Sequence, residues 1–181
     1  MTFLNLMIII NTASKLIQED IRNNSAWNQR WFAIHRGKHR GGGHLVLNFD
    51  VARQEADFAI DHARLDPYNE SPWRYLIGIL REQQQEKSNK ADIIVENHIV
   101  EYEAKASNEL RNVLTDAFRD PDACVNMTSA RIELLEMIGK KDALETAVEL
   151  AEGLANEYDI IRKKYWVLVL NRLRRRLSSI N

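Results

Sequence analysis

The chain has 181 residues, of which 45% are hydrophobic and 28% are charged, and its formal net charge is −1. This composition excludes collagen-like and intrinsically disordered chains, and the near-zero charge gives no global basic field for nucleic-acid binding. A single cysteine excludes an internal disulfide framework and suits a reducing compartment. The length alone predicts one domain.

The first ten residues form the longest apolar run of the chain. The run is well short of the ~20 residues that a membrane-spanning helix needs, and no Lys or Arg precedes Lys15, as a signal peptide would require. We therefore expect a cytoplasmic protein without membrane insertion. Residues 1–13 have no assignment, because either a buried first helix or an atypical start to an incomplete chain would explain them.

Helical periodicity dominates the rest of the chain. After Ser71, for example, Trp73, Leu76, Ile77 and Leu80 follow the i, i+3, i+4, i+7 spacing of a core-facing helix. No segment shows sustained alternation with period two, so the sequence predicts an all-α chain of paired helices. The predicted helices are a stub near 14–21, followed by 25–36, about 50–65, 71–85, about 91–118, 123–139, 143–158 and 160–177.

The predicted helix ends carry capping residues. Gly139 is expected to end one helix, and Pro72 to occupy the first position of another. The predicted N-caps, chosen for their short polar side chains, are Ser25, Ser71, Asp142 and Asp159. Charge also favours pairing of the last two helices, since residues 142–159 hold six acidic and no basic residues, and residues 160–181 hold seven basic and no acidic ones.

Two breaks between helices share a sequence pattern. The stretch 23–27 reads Asn-Asn-Ser-Ala-Trp, and the stretch 69–73, which starts 46 residues later, reads Asn-Glu-Ser-Pro-Trp. A repeat of this length is typical of helical hairpins stacked into an α-α superhelix. The repeat positions, expected to be structural, are Ser25, Trp27, Ser71 and Trp73, with Trp166 as a further aromatic in the last hairpin.

Three other features are weak candidate sites. The His- and Gly-rich loop 35–44 is interpreted as a solvated linker, with anion binding or adventitious metal binding as alternatives. The run 174–176 of three arginines suits a solvated helix end, or else binding of phosphate, RNA or acidic lipid. Cys124 has no obvious general base nearby and is interpreted as a buried or incidental thiol rather than a nucleophile. No catalytic or metal-binding constellation is recognised.

Three stretches of the chain, in the same order, resemble the protein prenyltransferase α subunit family, specifically the α chain shared by protein farnesyltransferase and protein geranylgeranyltransferase type I. The first stretch, 19–30, contains Asn23 and Trp27 and resembles one of the family's later repeats. The second, 65–76, contains Asn69 and Trp73 and resembles the repeat that follows. The third, Asp-Ile-Ile-Arg-Lys-Lys-Tyr-Trp at 159–166, resembles the C-terminal helix.

The resemblance implies an α-α superhelix of helical hairpins wrapped around a β subunit. The enzyme so formed would move a farnesyl or geranylgeranyl group from its diphosphate to the cysteine of a C-terminal CaaX sequence in a substrate protein. Zinc on the β subunit and magnesium in the holoenzyme are implied, and no cofactor is expected on this chain. Residues 14–177 are predicted to be one solenoid domain that lacks the N-terminal repeats, with a tail at 178–181. The chain is expected to be the C-terminal part of such a subunit.

The resemblance also implies what this chain contributes. The family's lysine near the diphosphate, and its Tyr-His pair, lie in repeats that precede the aligned part, so no catalytic residue is assigned and the isolated chain is expected to be inactive. The role expected of it is binding of the β subunit, through Arg22, Asn23, Asn24, Asn28, Arg30, Asn69 and Arg74. The alternatives are a non-enzymatic helical-repeat adaptor that binds proteins, and the α subunit of the Rab geranylgeranyltransferase.

Overall fold

The computed structural model of the chain describes residues 3–36, 47–85 and 125–180. These residues are helical, with no strand among them, as the sequence predicts. The chain divides into two compact units, Met1–Ser88 and Asn89–Asn181. The helices of the described segments are too short or too polar to cross a membrane.

The first unit contains two helical hairpins. Helix α1 (Phe3–Glu19) packs against α2 (Asn24–Arg36), and α3 (Phe49–Leu65) packs against α4 (Glu70–Gln85). Helices α2 and α4 also contact each other, which places the second helix of one hairpin beside the second helix of the next. Three of these four helices begin within one residue of their predicted starts.

Helix α1 differs most from the sequence prediction. It begins at Phe3, so residues 3–13 are helical and the predicted stub at 14–21 is only the end of a long helix. Leu6, Ala13 and Ile17 are buried, on one face of α1. A run in which almost every residue is apolar lacks the polar half of the helical pattern, which is why periodicity did not reveal it.

Helices α2 and α4 approach closely at a glycine. A Cβ atom on Gly78 of α4 would lie 2.7 Å from Cη2 of Trp31 on α2. Beyond it, Nδ1 of His35 lies 2.7 Å from the Trp31 carbonyl and Nε2 lies 2.7 Å from a carboxylate oxygen of Glu82. His35 and Arg36 therefore belong to α2 rather than to the predicted linker 35–44, and the remainder of that linker lies outside the described residues.

The second unit contains α5 (Val125–Ile138), α6 (Lys141–Gly153) and α7 (Lys163–Ser178). Helix α6 packs against both α5 and α7 around a shared apolar core that includes Leu144, Trp166 and Leu173. A π-helical turn, Leu154–Tyr158, and a 3₁₀ turn, Ile160–Arg162, connect α6 to α7. The predicted helix 91–118 and the lone Cys124 lie outside the described residues.

Two capping predictions in this unit need correction, and one is confirmed. Gly139 ends α5 with a positive φ of 66°, as expected of a glycine C-cap. Asp142, however, lies inside the first turn of α6, where its charge still favours the positive end of the helix. Asp159 makes no side-chain cap either, because its carboxylate accepts hydrogen bonds from Nε1 of Trp166 (2.7 Å) and Nε of Arg162 (2.6 Å).

The predicted pairing of opposite charges within the last hairpin is only part of what the structure shows, because some of the cations pair with a third helix. Arg174 pairs with Glu152 on α6, as expected. Arg172 and Arg176 instead reach Glu136 on α5, at 2.7 and 3.4 Å. Two of the basic residues of α7 therefore connect it to α5 rather than to its own partner in the hairpin.

Candidate functional site

The candidate site is a pair of equivalent turns, each taken with the first turn of the helix that follows it: turn 1 (residues 20–27) joins α1 to α2, and turn 2 (residues 66–73) joins α3 to α4. Each turn starts with an aspartate. Oδ1 of Asp20 accepts a hydrogen bond from the backbone N–H of Arg22 (2.9 Å), and Oδ1 of Asp66 accepts one from Tyr68 (3.2 Å). These bonds fix the same bend in both turns, because an aspartate side chain that bonds two residues ahead imitates a backbone turn.

An asparagine then opens the second helix of each hairpin. Oδ1 of Asn23 accepts from the N–H of Ala26 (3.2 Å), and Oδ1 of Asn69 accepts from the N–H of Ser71 (3.1 Å). The N-caps are therefore the asparagines, and the prediction of Ser25 and Ser71 as caps is wrong. Both serines already lie inside the helices that they were expected to cap.

Each turn closes on its tryptophan. The indole Nε1 of Trp27 donates to the carbonyl of Ile21, and that of Trp73 donates to the carbonyl of Pro67, at 2.9 Å in both cases and six residues back in the chain. Both rings are buried, as is that of Trp166 in the second unit. All three tryptophans are therefore buried and hydrogen-bonded, as a structural role would require.

Three side-chain bonds join turn 1 to turn 2, the longest of them from the hydroxyl of Ser71 to Oδ1 of Asn24, at 3.5 Å. Nδ2 of Asn69 donates to the carbonyl of Ile21 at 2.7 Å, and Nε of Arg22 donates to Oδ2 of Asp66 at 2.7 Å. Asn69 thus caps its own helix with one side-chain atom and holds the preceding turn with another. The hydrogen bond to Asp66, followed by the attraction of its charge, raises the pKa of Arg22.

An open cleft of about 670 Å³ lies beside this junction. Its walls combine the ends of α1 and α3 with the start of turn 1, and they include Arg22, His62 and Asp66. Nδ1 of His62 lies 2.8 Å from the Phe58 carbonyl, so this nitrogen carries the proton. Within the described residues, no group of three or more His, Cys, Asp or Glu side chains is placed to hold a metal ion.

Of the residues predicted to bind a partner, four are solvent-exposed: Arg22, Asn24, Asn28 and Arg74. Arg74 makes an ion pair with Glu70, one helical turn away. Asn23 is half-buried and Asn69 is buried, as their capping roles require.

Arg30 has a different environment from the one predicted. It is 8% exposed, and its guanidinium makes two hydrogen bonds to the carboxylate of Glu55, at 2.8 and 2.9 Å. It also donates to Ser14 (2.6 Å) and lies 3.9 Å from the ring centre of Phe58, while Tyr75 donates to Glu55 at 2.7 Å. Each guanidinium nitrogen of Arg30 therefore has a hydrogen-bond partner inside the unit, so we leave Arg30 out of the partner surface.

Sequence reasoning missed the parts of the site that are not in the repeated Asn-x-Ser-x-Trp pattern. Asp20 and Asp66 were within the stretches that carried the resemblance, and their equal distance from the two tryptophans was the available signal. The backbone carbonyl of Ile21 accepts hydrogen bonds from both Trp27 and Asn69. The sequence gives no indication of this role, because a residue of any type supplies a backbone carbonyl.

Comparison with known proteins agrees with this geometry. Residues 10–37, which end α1 and contain turn 1 and α2, match the family described as "Protein prenyltransferase alpha subunit repeat". The protein farnesyltransferase/geranylgeranyltransferase type-1 subunit alpha of Dictyostelium discoideum is 28% identical over 167 residues, which is 92% of this chain and 45% of that protein. The resemblance to protein prenyltransferase α subunits is confirmed.

Two plant proteins described by the same name match shorter stretches. The Pisum sativum subunit is 37% identical over 84 residues, covering 46% of this chain and 24% of that protein. The Arabidopsis thaliana subunit is 34% identical over 68 residues, covering 38% and 19%. The chain therefore spans less than half the length of the curated prenyltransferase α subunits that it matches.

Proposed function

We propose that the chain is the scaffold part of a protein prenyltransferase α subunit, and that it binds a β subunit which carries the catalytic machinery. The observation that carries the proposal is the pair of equivalent turns in a chain whose relatives are named as α subunits of protein farnesyltransferase/geranylgeranyltransferase type-1. The assembled enzyme would be cytoplasmic and would transfer a farnesyl or geranylgeranyl group to the cysteine of a C-terminal CaaX sequence in a substrate protein. The chain alone would be inactive.

The proposed contact with the β subunit is formed by the exposed residues Arg22 and Asn24 of turn 1, together with Asn28 and Arg74, each of which is the first residue after its turn. The side chain of Arg22 is 71% exposed, and Asp66 occupies only its Nε atom. Its two terminal nitrogens make no hydrogen bond within the described residues, so they are available to a partner carboxylate or carbonyl. The adjacent cleft offers room for a side chain of that partner.

The chemistry of the transfer would depend on the β subunit. Zinc held there would convert the substrate cysteine to a thiolate, and magnesium would offset the charge of the departing diphosphate. No residue of this chain is assigned to either ion. Its own contribution would be to hold the β subunit in an active shape, with the turns rigidly spaced by the bonds between Asn69 and Ile21 and between Arg22 and Asp66.

Co-expression with an affinity-tagged cognate β subunit tests the proposal. We expect the chain to co-purify with it, and Arg22→Glu and Asn28→Arg each to reduce the recovered amount at least tenfold. The matched control is Lys15→Glu, an exposed cation on α1 in the same unit, which should leave recovery unchanged. Circular dichroism of each variant shows whether the fold is retained. A folded wild-type chain that never co-purifies would contradict the proposal and favour the adaptor.

A further inference from the structure

A buried polar network lies inside the first unit. Its centre is the ion pair of Arg30 and Glu55, whose side chains are 10% and 9% exposed. Nη1 of Arg30 donates to the hydroxyl of Ser14, and the hydroxyl of Tyr75 donates to Oε2 of Glu55, the oxygen that also accepts from Nε of Arg30. These four residues lie on α1, α2, α3 and α4, one on each helix. We name them the four-helix network.

The repeated hairpin itself does not require the two charges. Helices α1 and α3 begin 46 residues apart, as do α2 and α4. The position equivalent to Arg30 is the buried Leu76, and the position equivalent to Glu55 is the half-buried Ile9. Because an apolar residue takes each position in the other hairpin, the charges belong to the contact between the hairpins rather than to the fold of either one.

The energetics of a buried ion pair indicate what these charges do. Removing both charges from water costs about as much free energy as their attraction provides, so well-packed apolar residues of similar volume are often equally stabilising. A charge that is buried without its partner is strongly destabilising, however. The pair of Arg30 and Glu55 therefore disfavours arrangements in which the two side chains do not meet. Its two parallel N–H···O bonds also restrict the geometry of the arrangement in which they do.

Other directional bonds join the two hairpins on either side of the four-helix network. At one end are the bonds between turn 1 and turn 2, and Arg30 lies about 9 Å further along α2 than the first residue of that helix. Toward the other end, Nε2 of His35 pairs with Glu82 on α4, and their side chains are 16% and 24% exposed. Water reaches that pair more readily and replaces a lost partner there. A change in the angle between the hairpins is therefore penalised most at the four-helix network.

We propose that the four-helix network sets the angle at which the second hairpin stacks on the first, and that it adds little to the free energy of unfolding. Arg30 and Glu55 are thus positioning residues. The inference does not rest on the proposed function, since the angle is a property of this chain alone. The angle does matter for that function, because Asn28 and Arg74 of the proposed contact lie on different hairpins and their separation depends on it.

Double electron–electron resonance between two spin labels reports the stacking angle as a distance. Cys124, the one cysteine of the chain, is first replaced by serine. The substitutions Lys15→Cys and Asp61→Cys then place labels at exposed positions 46 residues apart, which are equivalent in the two hairpins. Labels at Lys15→Cys and Gln29→Cys, both within the first hairpin, show whether that hairpin itself is intact. We expect narrow distance distributions for both pairs of labels when the network is unchanged.

The main variant combines Arg30→Met, Glu55→Leu and Tyr75→Phe, which replaces the polar groups by apolar side chains of similar size. We expect the distance distribution between the hairpins to become about twofold broader or more, with an unfolding midpoint no lower than that of the wild type. Arg30→Met alone leaves Glu55 unpaired and should lower the midpoint by about 10 °C or more. The matched control is His35→Gln, which alters the more accessible pair and should leave the distribution unchanged.

A second variant, Arg30→Lys, tests the geometry of the bonds without removing the charge. A lysine pairs with Glu55 but does not form two parallel bonds from a planar group, so the distribution between the hairpins should broaden while the fold is retained. Unchanged distributions in both Arg30→Lys and the triple variant would overturn the proposal. So would a triple variant that unfolds as readily as Arg30→Met, because the network would then act on stability rather than on the angle.

Discussion

Some side chains of the first unit are both buried and hydrogen-bonded. Tryptophan 27 is the clearest case, since it contacts the rings of Phe58, His62 and Tyr75 while its Nε1 atom bonds the Ile21 carbonyl. A large ring in such a position stabilises through its buried area and through a bond that orients it. The repeated tryptophans therefore fix the position of each turn on its hairpin.

We expect Trp27→Phe to lower the free energy of unfolding by about 1–3 kcal/mol, because it removes the indole hydrogen bond and leaves a small cavity. Urea denaturation followed by far-ultraviolet circular dichroism measures this. The control Phe32→Leu changes an aromatic residue of the same helix that is 44% exposed, and it should stay within about 0.5 kcal/mol. Equal losses for the two variants would contradict the role of Trp27.

The environment of Tyr75 predicts how the free energy of unfolding depends on pH. Burial raises its pKa most, and the nearby Glu55 carboxylate raises it further, whereas a tyrosine of the unfolded chain ionises near pH 10. The folded chain therefore retains a proton that the unfolded chain loses. This contribution to stability is fully present below pH 10 and falls above it by about 1.4 kcal/mol per pH unit.

The comparison that isolates this effect is wild type against Tyr75→Phe, unfolded by urea at several pH values between 8 and about 11. The wild type should lose stability more steeply above pH 10, by the equivalent of one proton. All other tyrosines, lysines and arginines are common to both proteins, so their titration cancels in the difference. Parallel curves would show that Tyr75 ionises freely in the folded chain.

Among the helices and turns, the bond from Asn69 to Ile21 is the most informative, because turn 1 supplies its own control. Asn23 stands 46 residues before Asn69 and caps α2 in the same way, but its Nδ2 atom makes no hydrogen bond within the described residues. Replacing either asparagine by aspartate keeps a good N-cap, removes the amide donor and adds one negative charge at both positions.

We expect Asn69→Asp to lower the free energy of unfolding by about 1–3 kcal/mol, since a bond to the half-buried Ile21 carbonyl is lost and a carboxylate oxygen takes the donor's place. Asn23→Asp should change it by less than about 0.5 kcal/mol. Equal effects of the two substitutions in urea denaturation would show that the asparagines only cap their helices. A loss confined to Asn69→Asp would support the junction between the turns.

Helix packing gives a second matched pair. Gly78→Ala would drive a methyl group into Trp31, at 2.7 Å, while Gly153→Ala would meet Tyr158 at 3.5 Å, an ordinary contact. Alanine is the better helix former by about 1 kcal/mol, so Gly153→Ala should be neutral or stabilising. Gly78→Ala should cost about 1–3 kcal/mol despite that gain, because α2 and α4 would have to separate. Thermal unfolding of both variants distinguishes them.

The sequence predicted the helices wherever apolar and polar residues alternate with the helical period, as in α3 and α4. It missed most of α1, whose first ten residues offer too few polar ones to define a face. It assigned the caps to serine where asparagine fills the role, because the two residues have nearly equal capping preference and only the backbone conformation decides. The pair Arg30–Glu55 was beyond sequence reasoning, since its partners are 25 residues apart on helices whose packing had first to be known.

At the scale of the whole molecule, the structural repeat consists of a few equivalent hydrogen bonds in two turns that are 46 residues apart. Aspartate, asparagine and tryptophan set each turn, and the next turn is joined to it through a main-chain carbonyl and one ion pair. The chain is only 28% identical to its Dictyostelium relative over 92% of its length.

The central proposal, that this chain is a scaffold for a prenyltransferase β subunit, is tested most directly by sedimentation velocity of the purified chain mixed with a purified prenyltransferase β subunit of the same organism. Our account predicts a single boundary with the mass of a one-to-one complex, and separate boundaries when the chain carries Arg22→Glu and Asn28→Arg together. Two independent boundaries for the folded wild-type proteins, at concentrations well above the micromolar range, would contradict it.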